Sequence, residues 1–390
     1  MQEQTRAAAV HAAAERAAAV PAAADRAQRT LDRTFSIRLL PGAALNVATP
    51  SLRRLPQLLP LNHWWLSHLV DARLDAFHRT GDEHRLRQAE RVLRLLRIRN
   101  RGLANDYFDD MGWLTLALIG LFDATTDPRH LRDAESLWQR IRTRGWNDRE
   151  GPSVAWREQQ PAYKNAPSNG TFALASARLH ARTGDRRYRD AADETVDWLE
   201  QRLIDADGTV LDGVNREGDH RVDTDWVFSY NQGVVAAAIL ERAWVPDAPA
   251  AAARVARAAL PRLAPHGLVE GETARADHAG GGDAGLFKGI HVRCLAEIAA
   301  ALPPGDDRRT LTTFIDGATD ALIRTQSAAP TGRVGDDWSR PAPPATFLST
   351  QLAATLALEA RWRLDRATAT AAPTPAATPA PAIGLRPAPA

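Results

Sequence analysis

The strongest constraint on the fold is a repeated punctuation. Short turns carrying an aspartate recur at Thr80-Gly81-Asp82, Thr126-Asp127-Pro128, Thr183-Gly184-Asp185, Pro246-Asp247 and Gly305-Asp306-Asp307. Counted from Asp to Asp, the gaps are 45, 58, 62 and 59 residues. Each turn separates an apolar helical stretch from an amphipathic, Arg-rich one. The apolar stretches are Trp64–Phe77, Gly112–Asp123, Gly170–Ala181, Gly233–Ala243 and Gly289–Ala301, with a sixth at Ser349–Leu364. The amphipathic partners are Glu83–Leu96, Leu131–Thr143, Tyr188–Leu203, Ala248–Leu263 and Arg308–Thr325, with a sixth expected at Thr5–Asp32. A helix apolar on all sides must be enclosed, whereas one with a single apolar stripe covers something. Six enclosed and six covering helices predict an all-α fold, an (α/α)6 barrel with six inner and six outer helices. A superhelical solenoid would share the period, but six pairs favour a closed ring. Residues 1–366 are expected to form this single domain. The Ala/Pro-rich tail, 367–390, has the composition of a disordered segment.

Inner helices of such a ring run parallel, so their starts gather at one end. Each start carries a cluster of polar, aromatic and glycine residues. The clusters include His63-Trp64-Trp65, Asp106 to Trp113, Tyr163 to Gly170, Ser229 to Gly233, Gly280 to Gly289 and Pro341 to Thr346. The outer helices carry no comparable clusters. Helix starts also present free N–H groups and a positive dipole. One functional face follows from topology alone.

Within that face Asp109 and Asp110 stand side by side. Adjacent carboxyls repel, which pushes at least one toward its neutral form. One proton donor beside one anion is what cleavage of a glycosidic bond needs. The plainer alternative is a helix cap followed by a first-turn acid. Adjacency favours the shorter carboxyl separation, about 5–5.5 Å, of a retaining enzyme. The flanking aromatics suit sugar rings: Trp64, Trp65, Tyr107, Trp113, Trp156, Tyr163, Tyr230 and Trp338. Trp138, Trp198 and Trp362 lie at packing positions within helices. Asn165, Asn169, Asp212, Asn215, Asn231 and Gln232 can each bind hydroxyls, or else form turns and caps. Of 49 basic residues only Lys164 and Lys288 are lysines, and both fall in these clusters. A compact ammonium is therefore expected to contact substrate there.

Other classes are disfavoured. A net charge of +2 spread along helix faces does not make a nucleic-acid surface. One cysteine, Cys294, reads as a core residue, and no metal-binding spacing is visible. No stretch is apolar enough to span a membrane. As written, the chain carries no signal peptide and reads as cytoplasmic; a trimmed N-terminus would fit a secreted or cell-envelope protein equally. No cofactor is implied, and a monomer is expected.

The clusters together resemble glycoside hydrolase family 76, the endo-α-1,6-mannanase family. The resemblance rests on His63-Trp64-Trp65, Asn105 to Trp113 (with Tyr107-Phe108-Asp109-Asp110-Met111-Gly112-Trp113 its most specific string), Tyr163-Lys164-Asn165-Ala166-Pro167, Asp212-Gly213-Val214-Asn215, Tyr230-Asn231-Gln232-Gly233 and Phe287-Lys288-Gly289-Ile290. It spans about residues 62–360. The resemblance implies an (α/α)6 barrel and retaining hydrolysis of α-1,6-mannosidic linkages in a mannan-type polysaccharide or glycolipid. It also implies no metal, with Asp109 as nucleophile and Asp110 as acid/base. The substrate-binding set it points to is Trp64, Trp65, Asn105, Tyr107, Trp156, Lys164, Asn165, Asp212, Tyr230, Asn231, Gln232 and Lys288. A transglycosidase on mannan-containing glycans and a non-catalytic glycan-binding barrel are the alternatives. Sugar epimerisation, which leans on histidine, would have only His63 and His291 to use. The Pro-rich segment 34–60 is expected as a loop that could cap the cleft.

Overall fold

The computed structural model describes residues 18–48, 58–270, 272 and 281–371. The inner ring is α2 (His63–Thr80), α4 (Phe108–Thr125), α6 (Ala166–Thr183), α8 (Ser229–Leu240), α11 (Ala284–Ala301) and α13 (Leu348–Ala371). Each packs on the next, and α13 returns to pack on α2, so the ring closes. The outer helices are α1 (18–30), α3 (Glu83–Arg99), α5 (Pro128–Arg144), α7 (Arg186–Arg202), α9 (Ala248–Ala258) and α12 (Asp306–Ala328). The (α/α)6 barrel expected from the repeat is the observed fold.

Burial follows the sequence pattern. Every residue of α4 from Met111 to Ile119 is buried. In α5 only a stripe is buried, including Ala134, Leu137, Trp138 and Ile141, at the spacing of one helix face. Three of the five Asp turns share a mechanism, whereas the helices after Asp247 and Gly305 have no side-chain cap. Gly81, Thr126 and Gly184 take the left-handed conformation that ends one helix. The following Asp82, Asp127 and Asp185 accept from the N–H two residues on and start the next. Each such cap contributes about 1 kcal/mol. Where the inner helices press together, glycine is required. A Cβ on Gly289 would stand 2.2 Å from Ala353 Cα, and one on Gly112 would stand 2.1 Å from Thr171 Oγ1.

Several boundaries differ from expectation. The inner helices start up to five residues earlier, so the polar clusters occupy first turns rather than preceding loops. The expected helix Ala248–Leu263 is broken after Ala258, and α10 (Leu260–Leu263) follows. Pro261 is the reason, because its ring lacks an N–H and would clash with the carbonyl four residues back. The last helix continues to Ala371, past the expected boundary at 366. Of the expected helix Thr5–Asp32 the described part begins at residue 18 and ends in a π-turn, Leu31–Phe35. Residues 1–17, 49–57, 271, 273–280 and 372–390 lie outside the described residues, and so do the corresponding parts of the N-terminal helix, the Pro-rich segment, the Gly280 cluster and the tail.

One element was not anticipated. The antiparallel sheet β2 (Trp146–Asn147), β3 (Ser153–Arg157), β4 (Gln160–Asn165) and β5 (Gly213–Val214) rises from the ring beside α4 and α6. Its register shifts between Ala155 and Arg157, placing Trp156 at an irregularity. Such bulges re-aim side chains. On the far side, β1 (Val47–Ala48) pairs with β6 (Thr346–Phe347) and ties the 34–48 segment to the start of α13. None of the described residues of 34–60 lines the central cavity, so the described part does not cap it.

Candidate active site

The starts of the inner helices and the sheet enclose a cavity of about 770 Å³. Asp109 and Asp110 lie in the first turn of α4 and line it. That turn is set up by Asn105, whose Oδ1 accepts from Tyr107 N–H at 3.1 Å. Tyr107 is extended, and the helix begins at Phe108.

The two carboxyls are held differently. Asp109 Oδ1 accepts from the Asp110 backbone N–H at 3.0 Å. The Trp156 side chain also donates to Asp109. Asp110 Oδ2 accepts from Asn105 Nδ2 at 2.6 Å. Burial raises the Asp109 carboxyl to about 7, against the lowering effect of its donors. Burial together with the Asp109 charge pushes Asp110 well above the ordinary carboxylate range. Asp109 has the more anion-stabilising contacts. Of the two, Asp109 is therefore the first to ionise, and Asp110 keeps its proton to higher pH.

The walls are aromatic. Tyr107 and Trp156 meet edge to face, their rings 5.4 Å apart. Tyr230 stacks on Phe287 at 4.0 Å. Trp64 and Trp65 both donate their indole N–H to Asp283 Oδ1, at 3.0 and 2.8 Å. Opposite them Asp212 accepts from Tyr163 Oη at 3.0 Å, from Asn231 Nδ2 at 2.8 Å and from Arg216. Arg216 also bonds Asp223 and lies against the Trp226 ring. Asn165 lines the cavity and caps α6, accepting from Ser168 N–H at 3.3 Å.

Of the residues expected from sequence, Asp109, Asp110, Trp64, Trp65, Tyr107, Trp156, Asn165, Asp212 and Tyr230 line one cavity. Asn105 and Asn231 stand behind it, each bonded to a lining carboxylate. Three expectations are corrected. Lys164 is fully buried, and its Nζ donates to the carbonyls of Asn147 (2.9 Å) and Ser153 (2.5 Å), so it fastens the sheet. Gln232 bonds both backbone groups of Val210, at 2.8 and 2.7 Å, and positions the loop before β5. Lys288 donates to the Asp336 carbonyl beneath the Trp338 ring. Each ammonium or amide is consumed by backbone that the irregular rim leaves unpaired. Asn169 does the same for Val154, and His291 is buried away from the cavity. His63 does line it, but its Nε2 is held by Leu103 O at 2.8 Å.

Sequence reasoning missed Asp283, Phe287, Arg216 and Trp226. Asp283 and Phe287 sit in the glycine-rich cluster heading α11, so their place was signalled though their role was not. Arg216 and Trp226 sit in the loop after β5, which carries no helix-start signal.

Comparison with known proteins agrees with this geometry. The structure superposes on the Lin0763 protein of Listeria innocua with a TM-score of 0.80, at 32% identity, covering 88% of this chain and 97% of that one. It matches the GH76A α-1,6-mannanase of Salegentibacter sp. HEL1_6 equally well (TM-score 0.80, 27% identity, 88% and 99% coverage). An inactive variant of that enzyme, with two consecutive aspartates replaced by asparagine, is solved in complex with α-1,6-mannotriose (TM-score 0.79, 26% identity, 88% and 99% coverage). Among curated proteins, the Meiotically up-regulated gene 191 protein of Schizosaccharomyces pombe is 29% identical over 150 residues, 34% of this chain. The match spans only 33% of that relative's length. Residues 47–371 match the profile of Glycosyl hydrolase family 76. With that match covering most of its length, the chain belongs to glycosyl hydrolase family 76.

Proposed function

We propose that this protein cleaves α-1,6-mannosidic linkages with retention of anomeric configuration, using Asp109 as nucleophile and Asp110 as acid/base. The observation that carries the reading is the unequal holding of two adjacent half-buried carboxyls at the floor of an aromatic-walled cavity. In the first step Asp110 gives its proton to the glycosidic oxygen as that bond breaks. Asp109 attacks the anomeric carbon, and a glycosyl ester forms. The leaving sugar departs as an alcohol. Asp110, now an anion, takes a proton from water, and the hydroxyl so generated breaks the ester and frees Asp109. Burial suits both roles: it keeps Asp110 protonated near neutral pH, and it leaves Asp109 poorly solvated and reactive.

The substrate class is supported by the similar α-1,6-mannanase and its complex with α-1,6-mannotriose. That enzyme is inactive when two consecutive aspartates are changed. Asp109-Asp110 is the consecutive pair that lines the cavity here. Trp64, Tyr107, Trp156 and Tyr230 offer faces for pyranose C–H groups, and Asp212, Asp283 and Asn165 offer acceptors for hydroxyls. The test is turnover of linear α-1,6-mannan by wild type, Asp109→Asn and Asp110→Asn. Wild type is expected to release sugar, and each variant to lose at least a thousandfold in kcat while keeping its fold. Wild-type-like turnover by either variant refutes the assignment.

A further inference from the structure

Four of the five large apolar side chains exposed among the described residues lie on one flank of the barrel: Leu39 (92% exposed), Leu40 (51%), Leu59 (80%) and Ile98 (66%). Helix α3 organises them. Gly42, in the turn carrying Leu39 and Leu40, packs on the Arg91 carbonyl so closely that a Cβ would overlap it. Arg99, at the end of α3, donates to the Leu58 and Leu59 carbonyls. Ile98 follows Arg91 by seven residues, two helix turns, and shares its face.

The same flank is basic. Arg29, Arg33, Arg38 and Arg91 line a cavity of about 440 Å³ under the Leu39–Leu40 turn. Arg87 and Arg94 continue the row along α3. All six are exposed, and none has an ion-pair or hydrogen-bond partner among the described residues. The one acid lining that cavity, Asp32, is already taken by Arg73 and Arg85. Other exposed arginines, among them Arg132, Arg186, Arg254 and Arg324, also lack a partner among the described residues, whereas the half-buried Arg293 pairs with Asp71 and Asp75. What sets the unpaired cations of this flank apart is the protruding Leu39, Leu40 and Leu59 beside them.

We infer that this flank docks the enzyme on an anionic lipid surface, with Leu39 and Leu40 entering the interface and the arginines binding headgroup phosphates. Charge complementarity selects the occupant: exposed leucines set among unpaired arginines match an apolar layer beneath a negative one. The contact is peripheral, since no described helix is long and apolar enough to cross a membrane. It also bears on the cavity. From exposed Leu59 the chain reaches the cavity lining two and three residues on, at Leu61 and Asn62. Docking thus brings the cavity mouth beside the lipid surface, and the substrate class becomes a mannoside carried on an anionic glycolipid. That last step rests on the function proposed above; the docking itself does not.

The test is co-sedimentation of the full chain with vesicles. Wild type is expected to bind phosphatidylcholine vesicles containing 30% phosphatidylglycerol and to lose binding in high salt or with phosphatidylcholine alone. Arg33→Glu with Arg38→Glu should weaken binding at least 25-fold, at about fivefold per cation removed. Leu39→Ser with Leu40→Ser should weaken it at least tenfold. Both variants should keep the wild-type Tm and wild-type hydrolysis of a soluble α-1,6-mannotetraose. Equal binding by wild type and variants overturns the inference, and so does no binding to anionic vesicles. Self-association that only the leucine variant loses would assign the flank to a second copy instead. Binding of glycerol phosphate as tightly as vesicles would assign it to a soluble anion. Because vesicle binding is read without turnover, an inactive cavity and a non-docking flank give different results.

Discussion

Replacing Asp109 with asparagine should stabilise this protein, by an amount that grows as pH rises from about 4 to 7. The carboxyl is half-buried, and desolvation holds its proton up to about 7 rather than the ordinary 3.8. Ionising it in the folded state therefore costs ~4 kcal/mol more than in the unfolded chain. The sign follows from proton linkage. Between 3.8 and about 7 the folded protein binds the proton and the unfolded chain does not, so stability falls as pH rises through that window. Asparagine cannot ionise and escapes the cost. It can still accept from the Asp110 N–H, but its amide faces the Trp156 donor poorly, a loss of about 1–2 kcal/mol. The net expectation is a gain of about 2–3 kcal/mol at pH 8, several degrees in Tm. At pH 4 the gain should vanish or turn into a small loss. Thermal unfolding of wild type and Asp109→Asn across pH 4 to 8 reads this directly. A Tm difference that is the same at both ends, or larger in acid, refutes the reasoning.

Activity should show the same carboxyl. The acid limb of kcat/KM on α-1,6-mannan is expected near pH 7, where Asp109 ionises, with decline at higher pH as Asp110 loses its proton; a half-maximum near pH 4 contradicts it. Trp156→Phe keeps the ring and removes the donor to Asp109, so kcat should fall about 10- to 100-fold with KM little changed; steady-state kinetics on a mannotetraose separates the two. Lys164→Met should leave two carbonyls unpaired and cost about 2–4 kcal/mol in urea unfolding. Were Lys164 a substrate contact instead, the loss would appear in KM with stability intact.

The barrel was legible because its signals are local and repeated. An Asp that caps, a left-handed residue before it, and an apolar helix followed by a striped one each act within a few residues. The position of Asp109 and Asp110 was legible for the same reason, since parallel inner helices must bring their starts together. Partnership was less legible. Lys164 and Lys288 fall in the right clusters, yet their ammonium groups serve backbone carbonyls set free by turns distant in sequence. Whether a polar side chain faces a cavity or a carbonyl depends on those turns. The sheet escaped notice because β2 and β5 are two residues long, and Trp156 reaches Asp109 through a bulge rather than an alternating strand. Asp283 escaped because its partners, Trp64 and Trp65, lie 219 and 218 residues away.

The central claim is that the Asp109–Asp110 pair cleaves an α-1,6-mannoside in two displacements. Proton NMR of the first sugar released from linear α-1,6-mannan, recorded before mutarotation, tests it most directly. The account predicts an α-anomer first, no signal with Asp110→Asn, and a β-anomer only as mutarotation proceeds. A β-anomer appearing first would mean single displacement and would contradict Asp109 as nucleophile; no release at all from wild type would contradict the substrate assignment.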